Sequence, residues 1–181
     1  MGRKSFFMIV VIVLLLVAQA VVYIVPAAAQ EVESLAETGV TLSIPAIDVE
    51  APIVTLHIRA FPSGEVTWDT SSITTEVGFL DGMAWFGQGG NIVLGGHSEL
   101  AGRAPAVFYH LDEVVVGDEI IVNDNGTEWR YVVTETFTVS DRDLSILYPT
   151  RSERLTLMTC DTDSLVGGQY SRRVVVIAER A

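Results

Sequence analysis

The sequence has little of what disulfide scaffolds, metal centres and nucleic-acid interfaces are built from. Its 181 residues include one cysteine and three histidines, and only 11 Lys+Arg stand against 23 Asp+Glu. A single cysteine and scattered histidines lack the ligand spacing of a zinc site, so we expect no metal and no other cofactor. A formal net charge of −12 repels phosphate backbones, so we expect no nucleic-acid partner. Heptads, tandem repeats and low-complexity segments are also lacking.

The few basic residues are unevenly placed. Residues 1–30 contain Arg3 and Lys4 and no acid, which leaves nine Lys+Arg against 23 Asp+Glu, a net charge of −14, in the rest of the chain. Residues 6–25 form an apolar run interrupted only by Gln19, and about 20 such residues cross a bilayer. Because the two cations precede the run, we expect the N-terminus in the cytoplasm and the remainder outside the membrane.

Two interpretations of this N-terminal segment remain open. Ala27-Ala28-Ala29 offers a small-residue cleavage site, which is typical of a removed signal peptide. The apolar run is longer than the usual ~7–15-residue core of such a peptide, which favours an uncleaved, single-pass signal anchor. We therefore predict a transmembrane signal anchor over residues 1–29, a linker over 30–40 and one domain over 41–181. The protein is expected in the cell membrane, with this domain outside the cytoplasm.

The pattern of the domain predicts short strands separated by turns. The predicted strands cover residues 41–44, 53–58, 91–94, 114–116, 119–123, 128–139, 155–160 and 172–178. Asp124-Asn125-Gly126 is a strong tight-turn signal. Residues 60–85 are expected to be mostly loop, with a short helix over 106–111 and a helical turn over 143–148. This all-β pattern predicts a closed or nearly closed antiparallel barrel with at most two short helices.

The only cysteine, Cys160, ends a predicted strand and precedes an acidic, glycine-containing loop. An unpaired thiol in an oxidising compartment is a candidate reactive group, although a small buried side chain is the alternative. His97 also follows a buried strand, after Gly95-Gly96, and Arg172 and Arg173 begin the last strand. A cation favours a nucleophilic thiolate, histidine transfers protons, and arginine stabilises an oxyanion. These groups indicate acyl transfer through a thioester, provided that they meet in space.

Several segments then carry a family resemblance. The chain resembles a sortase, a membrane-associated cysteine transpeptidase of the bacterial cell surface. The segments that carry this resemblance, in chain order, are Ile44-Pro45-Ala46-Ile47, Asn91-Ile92-Val93-Leu94 with Gly96-His97-Ser98, Val107-Phe108-Tyr109-His110-Leu111 with Val116-Gly117-Asp118, and Leu155-Thr156-Leu157-Met158-Thr159-Cys160. The last is similar to the family signature of Thr-Leu, one variable residue and Thr-Cys. The resemblance covers about residues 41–178.

The resemblance implies an eight-stranded barrel that cuts a surface protein's C-terminal sorting signal, typically Leu-Pro-any-Thr-Gly, between Thr and Gly. The acyl group then passes to an amine of a peptidoglycan precursor or to a pilin lysine. His97 and Cys160 carry over as catalytic residues, and the apolar run at 174–176 selects Arg173 over Arg172 as the third. Only one of these two arginines can face Cys160, because side chains alternate along a strand.

Ser98, Thr159 and Tyr148 are the predicted substrate-binding residues. Ser98 and Thr159 flank the catalytic positions, and Tyr148 lies in the loop before the strand that ends at Cys160, which in sortases helps to bind the sorting signal. For Tyr148, closure of the core remains an equal alternative. Two other functions remain open. A thiol peptidase would let water resolve the thioester and release surface proteins, and an inactive barrel would only bind surface peptides. Turnover into an amine adduct would distinguish a transpeptidase from a thiol peptidase. The reactivity of Cys160 would distinguish an enzyme from an inactive barrel.

Overall fold

The computed structural model describes residues 39–181, in which twelve β-strands are joined by turns and five single-turn 3₁₀ helices. The strands are β1 Val40–Ile44, β2 Val49–Leu56, β3 Ile58–Ala60, β4 Val66–Trp68, β5 Val77–Leu80, β6 Asn91–Gly95, β7 Glu119–Asp124, β8 Thr127–Ser140, β9 Arg154–Cys160, β10 Leu165–Val166, β11 Gln169–Tyr170 and β12 Arg172–Arg180. The 3₁₀ helices are Pro45–Ile47, Ala101–Arg103, Leu111–Glu113, Ser145–Leu147 and Thr162–Ser164.

The predicted membrane segment 1–29 and most of the predicted linker lie outside the described residues. Within residues 39–181, no helix is both long enough and apolar enough to span a bilayer.

Eight of the strands close into a barrel in the order β1-β2-β5-β6-β9-β12-β8-β7, which confirms the predicted closed barrel. The prediction that it is antiparallel is wrong at two places, because β2 pairs with β5 and β6 pairs with β9 in parallel. Parallel neighbours require a long crossover connection. The chain between β2 and β5 and the chain between β6 and β9 supply it.

The predicted loop over residues 60–85 is wrong in part, since it contains β4 and the barrel strand β5. All four residues of β5 are buried, so its sequence shows no alternation. The predicted strand over 114–116 is absent, and the predicted helix over 106–111 is a series of turns before the 3₁₀ helix Leu111–Glu113. The predicted helical turn over 143–148 is confirmed by Ser145–Leu147.

Alternate residues of β9 contribute to different hydrophobic clusters, one inside the barrel and others outside its wall. Leu155 and Leu157 are fully buried in the large interior cluster. Met158 packs instead on clusters that the hairpin of β3 and β4 and the chain between β8 and β9 help to form outside the wall. Because both faces of this part of the wall are covered, β6 and β12 read as continuous apolar runs.

Buried Asn91 holds the chain between β8 and β9 against the outer face of the wall. Its Nδ2 donates to the carbonyl oxygens of Ile146 at 2.8 Å and Tyr148 at 3.1 Å. Its Oδ1 accepts from the Thr156 hydroxyl at 2.7 Å and from Arg154 Nε at 3.2 Å. The segment is therefore fixed at the end of β6 that is opposite Gly95.

Candidate active site

Cys160 lies on the outer face of the barrel wall, at the end of β9. It is half-buried and unpaired. Arg173 of β12 stands directly opposite it in the antiparallel ladder, so the two side chains share a face. His97 follows β6, whose last residue, Gly95, pairs with Met158 of β9. Cys160, Arg173 and His97 line one groove.

Apolar side chains also line this groove. They are Leu56, Leu80 and Met158, together with the indole of Trp68. The Trp68 Nε1–H donates to the Asp81 carbonyl at 3.0 Å, which fixes the indole against the residue that follows β5. An extended peptide bound in the groove would therefore meet apolar side chains as well as the three polar groups.

A backbone carbonyl orients the His97 ring. The Nε2 atom lies 3.1 Å from the Thr70 carbonyl oxygen. Because a carbonyl only accepts, Nε2 carries the proton of this hydrogen bond, and Nδ1 is the nitrogen available for proton transfer. Thr70 lies in the segment predicted to be loop, and no sequence signal identified this role.

Thr159 connects β9, which ends at Cys160, to the loop after β6 that carries His97, here called the histidine loop. Its hydroxyl is almost fully buried and donates to the Gly96 carbonyl at 2.8 Å. The Gly96 N–H in turn donates to the Met158 carbonyl at 3.2 Å. These two bonds set the position of His97 relative to the neighbouring Cys160.

Gly96 is also a point of close approach. A Cβ atom added there would lie 2.6 Å from Phe108 Cδ2 and 2.8 Å from Val107 Cγ1. Phe108 is fully buried and its N–H donates to the His97 carbonyl at 3.0 Å. Glycine at 95 and 96 allows a tight turn or a close approach to another segment, and the close approach is found at Gly96.

Two opposing influences act on the Cys160 thiol. Burial raises its pKa, because a thiolate is poorly solvated there, and the positive charge of Arg173 lowers it in part. The Arg173 guanidinium is held by its Nη1, which donates to the carbonyl oxygens of Tyr170 and Arg172, each at 3.0 Å. Arg173 is therefore placed to stabilise negative charge in the groove.

Arg172 has a different partner. Its Nε donates to Asp161 Oδ2 at 2.7 Å, and its N–H donates to the Ser164 hydroxyl at 3.1 Å. These bonds join the start of β12 to Asp161 and Ser164, which follow the end of β9. Arg173, and not Arg172, lines the groove.

The structure does not bring two of the predicted substrate-binding residues to the groove. Ser98 is 2% exposed and lies outside the groove lining, whereas Thr159 lies within it. Tyr148 is exposed, but its carbonyl bonds to Asn91 at the far end of β6. Direct substrate contacts of Ser98 and Tyr148 remain predictions.

A closed barrel with an unpaired thiol, an imidazole and a guanidinium in one groove has the functional groups of a thiol-dependent acyl-transfer enzyme. A family model described as the sortase domain matches residues 42–181. The chain belongs to the sortase family.

Individual relatives agree with this membership. Sortase A of Listeria monocytogenes is 31% identical over 90 residues, which span 50% of this chain and 38% of the relative's length. The lid mutant of sortase A from Corynebacterium diphtheriae is 28% identical with a TM-score of 0.63, covering 80% of this chain and 70% of that one. Sortase C-1 from Actinomyces oris is 26% identical with a TM-score of 0.62, covering 85% and 82%.

Gly96→Ala is expected to destabilise the fold. The new methyl group meets the buried Phe108 ring, and such overpacking costs about 1–3 kcal/mol. Gly95→Ala is the matched control, because its Cβ would be 3.6 Å from Leu80 Cδ1, an ordinary contact. Chemical denaturation followed by tryptophan fluorescence measures both, and equal losses of unfolding free energy would contradict the close approach at Gly96.

Arg173→Gln is expected to raise the pKa of Cys160 further, because it removes the cation that favours the thiolate. Alkylation by neutral iodoacetamide near pH 7 should slow about 3- to 10-fold, with the rate profile moved to higher pH. Arg172→Gln is the control, since that guanidinium is paired with Asp161. The assignment fails if Arg172→Gln slows the reaction as much as Arg173→Gln does.

Proposed function

We propose that this protein is a sortase-type cysteine transpeptidase that acts on a C-terminal sorting signal of the Leu-Pro-any-Thr-Gly type. It cleaves between Thr and Gly and transfers the acyl group to an amine. The observation that carries the proposal is the single groove lined by Cys160, His97 and Arg173. The apolar residues of the same groove, Leu56, Leu80 and Met158, support packing of the Leu and Pro side chains of such a signal.

In the proposed first step, the Cys160 thiolate attacks the threonine carbonyl carbon. The carbon–sulfur bond forms and the carbonyl becomes an oxyanion, which Arg173 stabilises by its fixed positive charge. Protonated His97 gives the Nδ1 proton to the departing glycine amine as the peptide bond breaks. The products are a thioester on Cys160 and a free peptide that begins with glycine.

In the second step, an acceptor amine attacks the thioester. Neutral His97 accepts a proton from this amine, and the oxyanion again forms beside Arg173. Collapse of this intermediate forms the new amide bond and releases the Cys160 thiolate. Because thioester formation needs both the Cys160 thiolate and protonated His97, its rate should pass through a maximum as pH rises. Burial raises the pKa of the Cys160 thiol, which moves the rising side of this profile to higher pH.

The acceptor proposed here is an amine of a peptidoglycan precursor or a pilin lysine, and the donors are surface proteins with a sorting signal. We also propose that residues 1–29 anchor the protein in the cell membrane, with the catalytic barrel outside. The run of apolar residues behind Arg3 and Lys4 supports this placement.

Cys160→Ala and His97→Ala should each lower kcat/KM by about 10³-fold or more, because each removes a group that makes or breaks bonds. The assay uses the full chain in detergent, a set of quenched Leu-Pro-any-Thr-Gly-like peptides, and triglycine or hydroxylamine as the acceptor. His110→Ala is the matched control, since this exposed ring pairs with Glu113 away from the groove. Full activity of Cys160→Ala would refute the proposed chemistry.

The products of the same assay separate the two other functions. A transpeptidase forms mainly the amine adduct, and its turnover rises when an acceptor is added. A thiol peptidase gives the hydrolysed acid whether or not an amine is present. A peptide-binding barrel binds the quenched peptides without cleaving them.

A further inference from the structure

Tyr170, at the end of β11, makes contacts at both of its ends. Its hydroxyl donates to Glu99 Oε2 at 2.6 Å. Its backbone carbonyl accepts from Arg173 Nη1 at 3.0 Å. Glu99 is two residues beyond His97, so Tyr170 lies between the loop that carries the imidazole and the guanidinium that faces the thiol.

The carboxylate that receives this hydrogen bond is buried. The Glu99 side chain is only 3% exposed, and its second oxygen accepts from Arg103 Nε at 3.2 Å. The backbone of Glu99 also forms an isolated bridge with Pro105, which closes the loop after His97. A short hydrogen bond to a buried charged acceptor is stronger than one between neutral groups at the surface.

The β10–β11 hairpin, which carries Tyr170, needs contacts with other segments to fix its position. Strands β10 and β11 have two residues each and pair only with one another. Their turn, Gly167-Gly168, has positive φ at both residues, and a Cβ atom added at either would meet no other atom within 4 Å. A two-stranded hairpin this short is marginal by itself, so contacts from outside decide where it sits.

We propose that the Tyr170–Glu99 hydrogen bond is a positioning latch, which fixes the β10–β11 hairpin against the loop after His97 and thereby holds the Arg173 guanidinium beside Cys160. The inference rests on the proposed function in one respect, the role of Arg173 in stabilising negative charge. Tyr170 is a positioning residue, because it acts on the reacting groups through Arg173 and Glu99.

The protonation of Tyr170 agrees with a donor role. Its hydrogen bond to Glu99 raises the pKa of the phenol, and burial and the Glu99 charge act in the same direction, opposed by Arg103. Tyr170 therefore keeps its proton at neutral pH and donates it, and does not serve as a general base.

Tyr170→Phe tests the latch, because it removes one hydroxyl and keeps the ring. Using the full chain in detergent, we expect kcat/KM for a sorting peptide to fall about tenfold, mostly in kcat. We also expect iodoacetamide alkylation of Cys160 to shift to higher pH, as in Arg173→Gln. Tyr109→Phe is the matched control, since the ring of Tyr109 packs edge-on against His110, away from Cys160.

Glu99→Gln supplies the second variant, because a glutamine oxygen still accepts from Tyr170 while the charge is lost. Its loss of kcat/KM should be smaller than that of Tyr170→Phe. The double variant should lose less than the sum of the two single losses, because both changes weaken the same hydrogen bond, although Glu99→Gln also removes the charge that pairs with Arg103. Additive losses would overturn the proposal.

A purely structural role predicts a different result. Tyr170→Phe would then lower the unfolding midpoint but leave kcat and the alkylation profile as in the unsubstituted protein, and this outcome would also overturn the latch. Failure of the proposed function is distinguishable from failure of the latch. If no sorting peptide is cleaved by the unsubstituted protein, the transpeptidase proposal fails, while the alkylation profile still reports whether Tyr170 positions Arg173.

Discussion

The pairing of β9 with both of its neighbours is the constraint on which the site depends. Its antiparallel ladder with β12 sets Arg173 opposite Cys160, and its parallel ladder with β6 brings the chain before His97 beside Met158. A slip of one residue would turn Cys160 toward the barrel interior. Leu155 and Leu157 oppose such a slip, because both are fully buried in the interior cluster.

The groove arises because segments outside the barrel cover part of its wall. The β3–β4 hairpin and the chain that follows it supply Trp68 to the groove and the Thr70 carbonyl to His97. Burial of Cys160 opposes its ionisation, and the Arg173 cation favours it. Burial in the groove therefore lowers the fraction of Cys160 that is ionised, and the nearby Arg173 cation offsets part of this loss.

The side chains of the site are joined by bonds between loops as well as by the strand ladders. Thr159 connects β9 to Gly96, directly before His97, and Tyr170 connects the β10–β11 hairpin to Glu99, shortly after it. The histidine loop is thus held on both sides. Loops gain precision for chemistry when rigid strands and buried hydrogen bonds limit their freedom, which is the case here.

The sequence by itself determined the all-β class, most of the barrel strands, and Cys160 and His97 as candidates, because alternation and turn residues are local signals. Its family resemblance selected Arg173 before the register placed that residue opposite Cys160. Only the tertiary structure decided the parallel pairs, the fully buried strand β5, and the hydrogen bonds that Thr70 and Tyr170 make beside the site. These features depend on which distant segments become neighbours, and a local periodicity carries no information about that choice.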